Sequence, residues 1–370
     1  MNRPETIETR EATQPSTSTA AMTAPHFNVR PALPGAVPGL SVVSPCYNEQ
    51  ESLAELYKRL TEACRKQAGD DYEIVLVDDG SSDATRSISR RYCEADPHMV
   101  GVFLSRNHGH QLALSAGLHI CRGDRILIID ADLQDPPELL GDMIKMMDDE
   151  RADVVYGQRG ERRGESPFKR LSAHLFYRLL NSLVDVNIPV DTGDFRLMSR
   201  RTLDELNRMP EQHRFIRGMV SWLGFHQVPL KYERHERFAG STKYPLKKML
   251  RFAFDAISGF SIVPLRLATY LGFVCCALGL LFMGYTAFSY LSGIAIQGWT
   301  TLMTVVLILG SGQLFVLGLI GEYLGRLYMQ SKNRPLFIIQ EVMCNERQDA
   351  ATYQRWPLTA PASTPALRTL

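Results

Sequence analysis

Residues 125–137 read RILIIDADLQDPP, an apolar run that breaks off into acids, an amide and two prolines. Ile-Leu-Ile-Ile without polar alternation predicts a strand covered on both faces, as in a parallel sheet. A carboxylate directly after that run, Asp130, needs a partner to offset its desolvation. Side chains two apart on an extended chain share a side, so Asp130 and Asp132 are expected to converge on one hard cation, with Gln134 extending the row. Mg2+ or Mn2+ suits such oxygen donors. A competing reading places Asp132 to Asp135 at a helix start, where acids and Pro136-Pro137 are comfortable. It accounts for Asp135 and the prolines, but not for Asp130.

Outward from this stretch, similar runs recur at LSVVS (40–44), EIVLVD (73–78), VGVFL (100–104) and DVVYG (153–157), separated by amphipathic segments. This is the pattern of an α/β fold with a mostly parallel sheet and crossover helices, which binds ligands beyond the carboxyl ends of its strands. Those ends are polar. Pro45, Cys46, Tyr47, Asn48 and Glu49 follow the first run, and Asp78-Asp79-Gly80-Ser81-Ser82 the second, a set suited to a base and a ribose. Asn48 as a cap for a helix starting at Glu49, and ordinary turn chemistry for the second group, are the alternatives. Ser105-Arg106-Asn107-His108-Gly109-His110-Gln111 leads into a helix whose start can approach a ligand. His108 and His110 lack metal-type partners nearby in sequence and read as loop residues.

Residues 267–321 contain no Asp, Glu, Lys or Arg. One membrane span needs about 20 apolar residues, so two fit, joined by Ser292–Trp299 (SGIAIQGW). Lys243, Lys247, Lys248, Arg251 and Arg266 before them, and Arg326, Lys332 and Arg334 after, place both ends on the cytoplasmic side. YPLKKMLRFAFDAI has apolar residues at helical spacing and is expected to lie in the interface. Arg159, Arg162, Arg163, Lys169 and Arg170 precede a second apolar-faced segment, LSAHLFYRLLNSL; this basic loop suits an anionic lipid phosphate, with Ser172 adding a hydrogen bond. A solvated charge run is the alternative.

The chain has 370 residues, room for two structural units. Its 41 basic and 40 acidic side chains give a net charge of +1, which excludes a global field for nucleic acid. Seven cysteines without a C-x-x-C pair point to neither zinc nor a disulfide framework. Residues 1–39, rich in Thr, Pro, Ala and Ser, read as a disordered tail without a signal sequence.

The ordered set SPCYNEQE, VDDGSSD, SRNHGHQLALSAG, DADLQDPPE, DTGDFRLMSR and RFAGSTKYPLKKM, followed by a two-span hairpin, resembles family 2 glycosyltransferases of the GT-A fold. The likeness, over about residues 40–335, is to the polyprenyl-phosphate glycosyltransferases, which include dolichol-phosphate mannose synthase and the bactoprenol glucosyltransferases. It implies that Pro45, Tyr47, Asn48, Glu49 and Asp79 line a nucleoside pocket, with Asn107, Gln111 and Ala131 also at the nucleotide-sugar. Asp130, Asp132 and Gln134 would hold the metal and diphosphate, while Arg237 and Lys243 reach the donor phosphates. Asp194, Arg196, Arg159, Arg170 and Ser172 would face the acceptor phosphate, and Asp130, Asp132 and Arg196 form the catalytic set. No general base is assigned, because a phosphate nucleophile is already largely ionised at neutral pH.

The implied reaction is inverting transfer from a nucleotide-sugar, UDP-glucose first, to polyprenyl (undecaprenyl) phosphate at the cytoplasmic membrane face, for cell-envelope glycan modification. A homotetramer fits the same resemblance. The expected layout is a catalytic domain at 40–240, an interfacial helix at 241–264, spans at about 265–291 and 300–325, and a cytoplasmic tail at 329–370. A processive polysaccharide synthase is the first rival, but its Gln-x-x-Arg-Trp segment is absent before the spans, and Gln354-Arg355-Trp356 has the wrong spacing. A non-catalytic nucleotide-sugar-binding scaffold is the second; it has no need of a full phosphate-and-metal set.

Overall fold

The computed structural model describes residues 37–160, 192–233, 263–292 and 298–345. The expectations for the N-terminal tail up to residue 36, for Arg162, Arg163, Lys169, Arg170 and Ser172, for Arg237, Lys243 and the interfacial helix, and for the end of the C-terminal tail fall outside the described residues.

The described residues open with four strand–helix repeats and a fifth strand: β1 (Leu40–Cys46), α1 (Leu53–Ala68), β2 (Tyr72–Asp78), α2 (Thr85–Ala95), β3 (Met99–Leu104), α3 (His110–Ile120), β4 (Arg125–Ile128), α4 (Leu140–Asp149) and β5 (Val154–Arg159). Then come β6 (Thr192–Ser199), α5 (Arg200–Arg208), α6 (Ile216–Trp222), β7 (Gln227–Tyr232), α7 (Val263–Leu291), α8 (Trp299–Ser331) and β8 (Ile339–Cys344). They build one eight-stranded sheet in the order β7-β5-β6-β4-β1-β2-β3-β8. β4, β1, β2 and β3 are parallel neighbours, as their continuous apolar runs predict. Every residue of β1, β2 and β3 is buried because helices cover both faces. Leu53, Leu56 and Leu60 of α1, with Met143 and Met147 of α4, pack on one face. Leu114 and Leu118 of α3, Leu203 and Leu206 of α5, and Ile216 and Met219 of α6 pack on the other.

Three features differ from the sequence expectation. β4 ends at Ile128, so Asp130 and Asp132 lie on the loop beyond it rather than on an extended strand, and Leu133 turns that loop at φ 57°. β6, carried by the DTGDFRLMSR segment, inserts antiparallel between β4 and β5, so β5 does not pair with β4. β8, within the segment expected as a tail, returns to the sheet and pairs antiparallel with β3. Arg86 and Arg90 of α2 reach Glu341 on β8 and fasten it there.

α7 and α8 are long helices of 29 and 33 residues. Within α8, Ile308–Ser331 has a mean hydropathy of 1.3 and is long and apolar enough to cross a membrane. Tyr270, Phe273, Leu281, Leu314, Phe315 and Leu327 on these helices are exposed, more apolar surface than a water-facing hairpin tolerates. The end of α8 touches the loop between α5 and α6. Gln330 Nε2 donates to the Pro210 carbonyl at 2.8 Å, and Gln212 Nε2 donates to the Arg334 carbonyl at 2.9 Å.

Candidate active site

The loops after β1 and β2 lock together through Asn48. Its backbone N–H donates to the Ser81 hydroxyl at 3.0 Å, and its side-chain oxygen accepts from the Ser82 N–H at 2.9 Å. With φ 57°, Asn48 occupies the left-handed region that asparagine tolerates. It does not cap α1, which begins after Ser52. Glu49 holds the same junction through its N–H to Thr85 Oγ1 at 2.8 Å, and Tyr47 beside it stands exposed at the rim.

Asp79 is buried, and its two oxygens accept the N–H groups of His108 (2.7 Å) and Gly109 (2.9 Å). Burial nevertheless leaves its pKa raised, the two N–H bonds pulling against it. Asp79 therefore fixes the loop that contains Asn107. Gly80 makes the junction possible: its φ is +68°, and a Cβ there would lie 2.7 Å from the Arg106 carbonyl carbon.

The main cluster forms where β6 starts beside the end of β4, a consequence of their antiparallel pairing. Asp194, buried, accepts from Arg217 Nε at 2.8 Å on one oxygen. Its other oxygen takes Gln111 Nε2 at 2.9 Å and faces His110 Nε2 at 3.0 Å. Burial pulls its pKa up, but Arg217 and His110 hold it well below the usual carboxylate range. His110 Nε2 also lies 3.5 Å from Asp130. Burial favours the neutral ring, yet Asp194 and Asp130 raise its pKa to about 9, so the ring is cationic at neutral pH. Gln111 ties this cluster to α6 through Oε1, which accepts the Ile216 N–H at 2.9 Å.

Asp130 differs from Asp194. Its Oδ1 is buried without a hydrogen bond. Burial above all, with Asp194, Asp135 and Asp132 nearby and against the pull of His110, raises its carboxyl to about 6. An acid-rich pocket with one under-compensated buried oxygen fits a hard divalent cation. Ligand-type atoms of His110, Asp130 and Asp194 lie within 4.8 Å of one another. Asp194 already has its donors, so the demand for a cation falls on Asp130. Asp132 follows, turned by the Gln134 N–H at 3.2 Å to its Oδ1, and Ala131 between them is buried.

Arg196 is buried, its Nη2 donating to the Gly193 carbonyl at 3.1 Å and its Nε to the Asp194 carbonyl at 3.3 Å, and burial lowers its pKa to about 10. It braces the start of β6 from within. Arg159 ends β5 with its guanidinium against Gly193. Pro45 is buried in β1, and Asn107 is exposed.

The structure thus brings Gln111, Asp130 and Asp194 together and adds His110 and Arg217. Sequence reading dismissed His110 because its partner Asp194 is 84 residues away. Arg217, 23 residues past Asp194, carries no motif that marks it.

Residues 41–206 match the glycosyl transferase family 2, and residues 263–327 match the GtrB C-terminal hairpin. The uncharacterized glycosyltransferase YkcC of Bacillus subtilis is 46% identical over 302 residues, covering 81% of this chain and 93% of that protein. The uncharacterized glycosyltransferase sll0501 of Synechocystis is 39% identical, covering 82% and 95%. A prophage bactoprenol glucosyl transferase homolog of Escherichia coli is 37% identical, covering 82% and 99%. With likeness of this degree along most of its length, the chain belongs to the family 2 glycosyltransferases that carry a GtrB C-terminal hairpin, with a GT-A-like sheet.

Proposed function

We propose that this enzyme transfers a sugar from a nucleotide-sugar, with UDP-glucose the leading donor, to a polyprenyl phosphate, with undecaprenyl phosphate the leading acceptor. The reaction inverts the anomeric carbon and takes place at the cytoplasmic face of a bacterial inner membrane. Residues 265–291 and 300–325 cross that membrane and both termini stay cytoplasmic; a homotetramer is the expected assembly.

The observation that carries the reading is the under-compensated Asp130 within an acidic cluster at the strand ends, in a chain whose hairpin offers a membrane helix. The bactoprenol-named relatives support the acceptor class.

Asp130, Asp132 and Gln134 would hold Mg2+ or Mn2+, which would supply positive charge beside a departing diphosphate. Pro45, Tyr47, Asn48, Glu49 and Asp79 shape the nucleoside end, with Asn107 and Ala131 beside the donor. Arg237 and Lys243 grip the donor phosphates, and Arg170 and Ser172 the acceptor phosphate. A lipid phosphate oxygen attacks the anomeric carbon as the bond to the diphosphate oxygen breaks on the opposite side. That oxygen is already anionic, so no base is required. His110, 44% exposed and cationic, offers its charge beside Asp130, while Asp194, itself held by Arg217 and Gln111, fixes the ring.

The test is transfer of radiolabelled sugar from a panel of nucleotide-sugars into undecaprenyl phosphate by purified protein in detergent with Mn2+, with and without a chelator. A chelator-sensitive lipid product from one donor is expected. Nucleotide-sugar binding without product from any donor contradicts the reading.

A further inference from the structure

On the far side of the cation loop is a buried node that the chemistry above leaves unused. Asp135, three residues past Asp132, is fully buried and accepts a hydrogen bond from the Tyr232 hydroxyl at the end of β7. The Tyr232 ring meets Phe195 of β6 edge-on with centroids 5.7 Å apart. Gly157 of β5 clears room for it, since a Cβ there would lie 2.8 Å from the ring. The Arg159 guanidinium lies close enough to the same hydroxyl to pull its pKa down, and its Nη2 passes so near Gly193 that a Cβ there would be 2.7 Å away. The Gly160 N–H closes the group by donating to the Tyr232 carbonyl at 2.9 Å. Burial and the Asp135 carboxylate push the phenol's pKa up, so Tyr232 remains a donor across the working pH range.

These contacts give Asp135 a partner in the neighbouring strands rather than a role at a helix start. They also explain two glycines by what their missing side chains admit. Between Asp130 and Asp135 the chain is stiff: Leu133 sits at φ 57°, Gln134 bonds Asp132, and two prolines follow. Pinning Asp135 therefore sets the direction in which the carboxylates before it point.

We propose that Tyr232 is a positioning residue for the divalent-cation site, its hydroxyl fixing Asp135 and hence the Asp130–Asp132 segment, with Arg159 and Gly193 completing the hold. This rests on the cation reading above. Partners one step behind the ligands commonly change metal affinity 10- to 100-fold when lost, and a single hydroxyl among several contacts belongs near the lower end, about tenfold.

Mn2+ binding to the detergent-solubilised full chain, read from the electron paramagnetic resonance of free Mn2+ with UDP present, separates this role from simple bracing. Tyr232→Phe keeps the ring and its packing; it is expected to raise half-saturating Mn2+ about tenfold while the unfolding midpoint moves by only a few degrees. Gly193→Ala, which crowds Arg159 off the node, is expected to shift Mn2+ binding in the same direction and decides the matter if Tyr232→Phe does not fold. Wild-type protein that binds no Mn2+ would overturn the cation reading itself. Wild-type binding that either folded variant matches would overturn this inference alone.

Discussion

Replacing Arg217 with alanine removes the 2.8 Å bond from its Nε to Asp194 and the 3.0 Å bond from its Nη1 to the Thr192 carbonyl. Stripping one partner from a buried ion pair costs about 3–5 kcal/mol when the remaining charge is left uncompensated. Asp194 keeps Gln111 and the cationic His110, so about 2 kcal/mol is expected here, a fall in apparent unfolding midpoint of about 2–3 °C for a chain of this size. The pH dependence carries a sign. Asp194 is held below its unfolded value, near ~3.9, so its stabilisation is complete above that pH and is lost as pH falls through the folded value. Without Arg217 that depression shrinks. The gap between wild type and variant should be full at pH 7 and narrow only below about pH 3.9, as Asp194 takes up its proton. Lysine at 217 cannot make both bonds from one planar fork and should restore only part of the difference. Thermal unfolding of detergent-solubilised protein across this range is the assay. A gap below 1 °C at pH 7, or one that widens as pH falls below about 3.9, would refute the claim that Arg217 compensates Asp194.

Three further outcomes are expected. Asp132→Asn should abolish transfer without unfolding the protein, since its partly exposed side chain lies on a loop; near wild-type turnover would remove it from the cation site. Gly80→Ala should destabilise by about 2 kcal/mol or more, combining a positive φ with backbone 2.7 Å from the new methyl; a change under 0.5 kcal/mol in denaturant unfolding would contradict that geometry. Glu341→Ala removes a half-exposed ion pair worth about 0–1 kcal/mol, whereas ending the chain before β8 should uncover the edge of β3 and cause aggregation on size exclusion; a monodisperse truncated protein would show that β8 is dispensable.

The central strands were legible because burial on both faces writes itself as unbroken apolar sequence, as in Ile74–Val77 and Ile126–Ile129. β6 was not. Its Thr-Gly-Asp-Phe-Arg-Leu-Met-Ser carries two charges and no unbroken apolar run, yet both are buried, Asp194 against Arg217, Gln111 and His110 and Arg196 against the Gly193 and Asp194 carbonyls. β8 pairs with β3 across more than half the chain, and no local pattern announces such a partner. The site follows the same division. Asp130 stood out because an acid after four apolar residues is costly by itself. The roles of His110, Arg217 and Tyr232 depend on partners that only the sheet order brings near, and Asp79 and Asn48 proved to be engaged with neighbouring loops as well.

The most direct measurement is the structure of the lipid product. Purified protein is given 13C-labelled UDP-glucose, undecaprenyl phosphate and Mn2+, and the extract is analysed by mass spectrometry and by 13C–31P coupling at the anomeric carbon. A single glucosyl residue joined through phosphate in the β configuration, opposite to the α-linked donor, and absent when a chelator is added, is the predicted result. A polymer, an α-linked product, or labelled glucose released without any lipid-linked sugar would contradict inverting transfer to a polyprenyl phosphate.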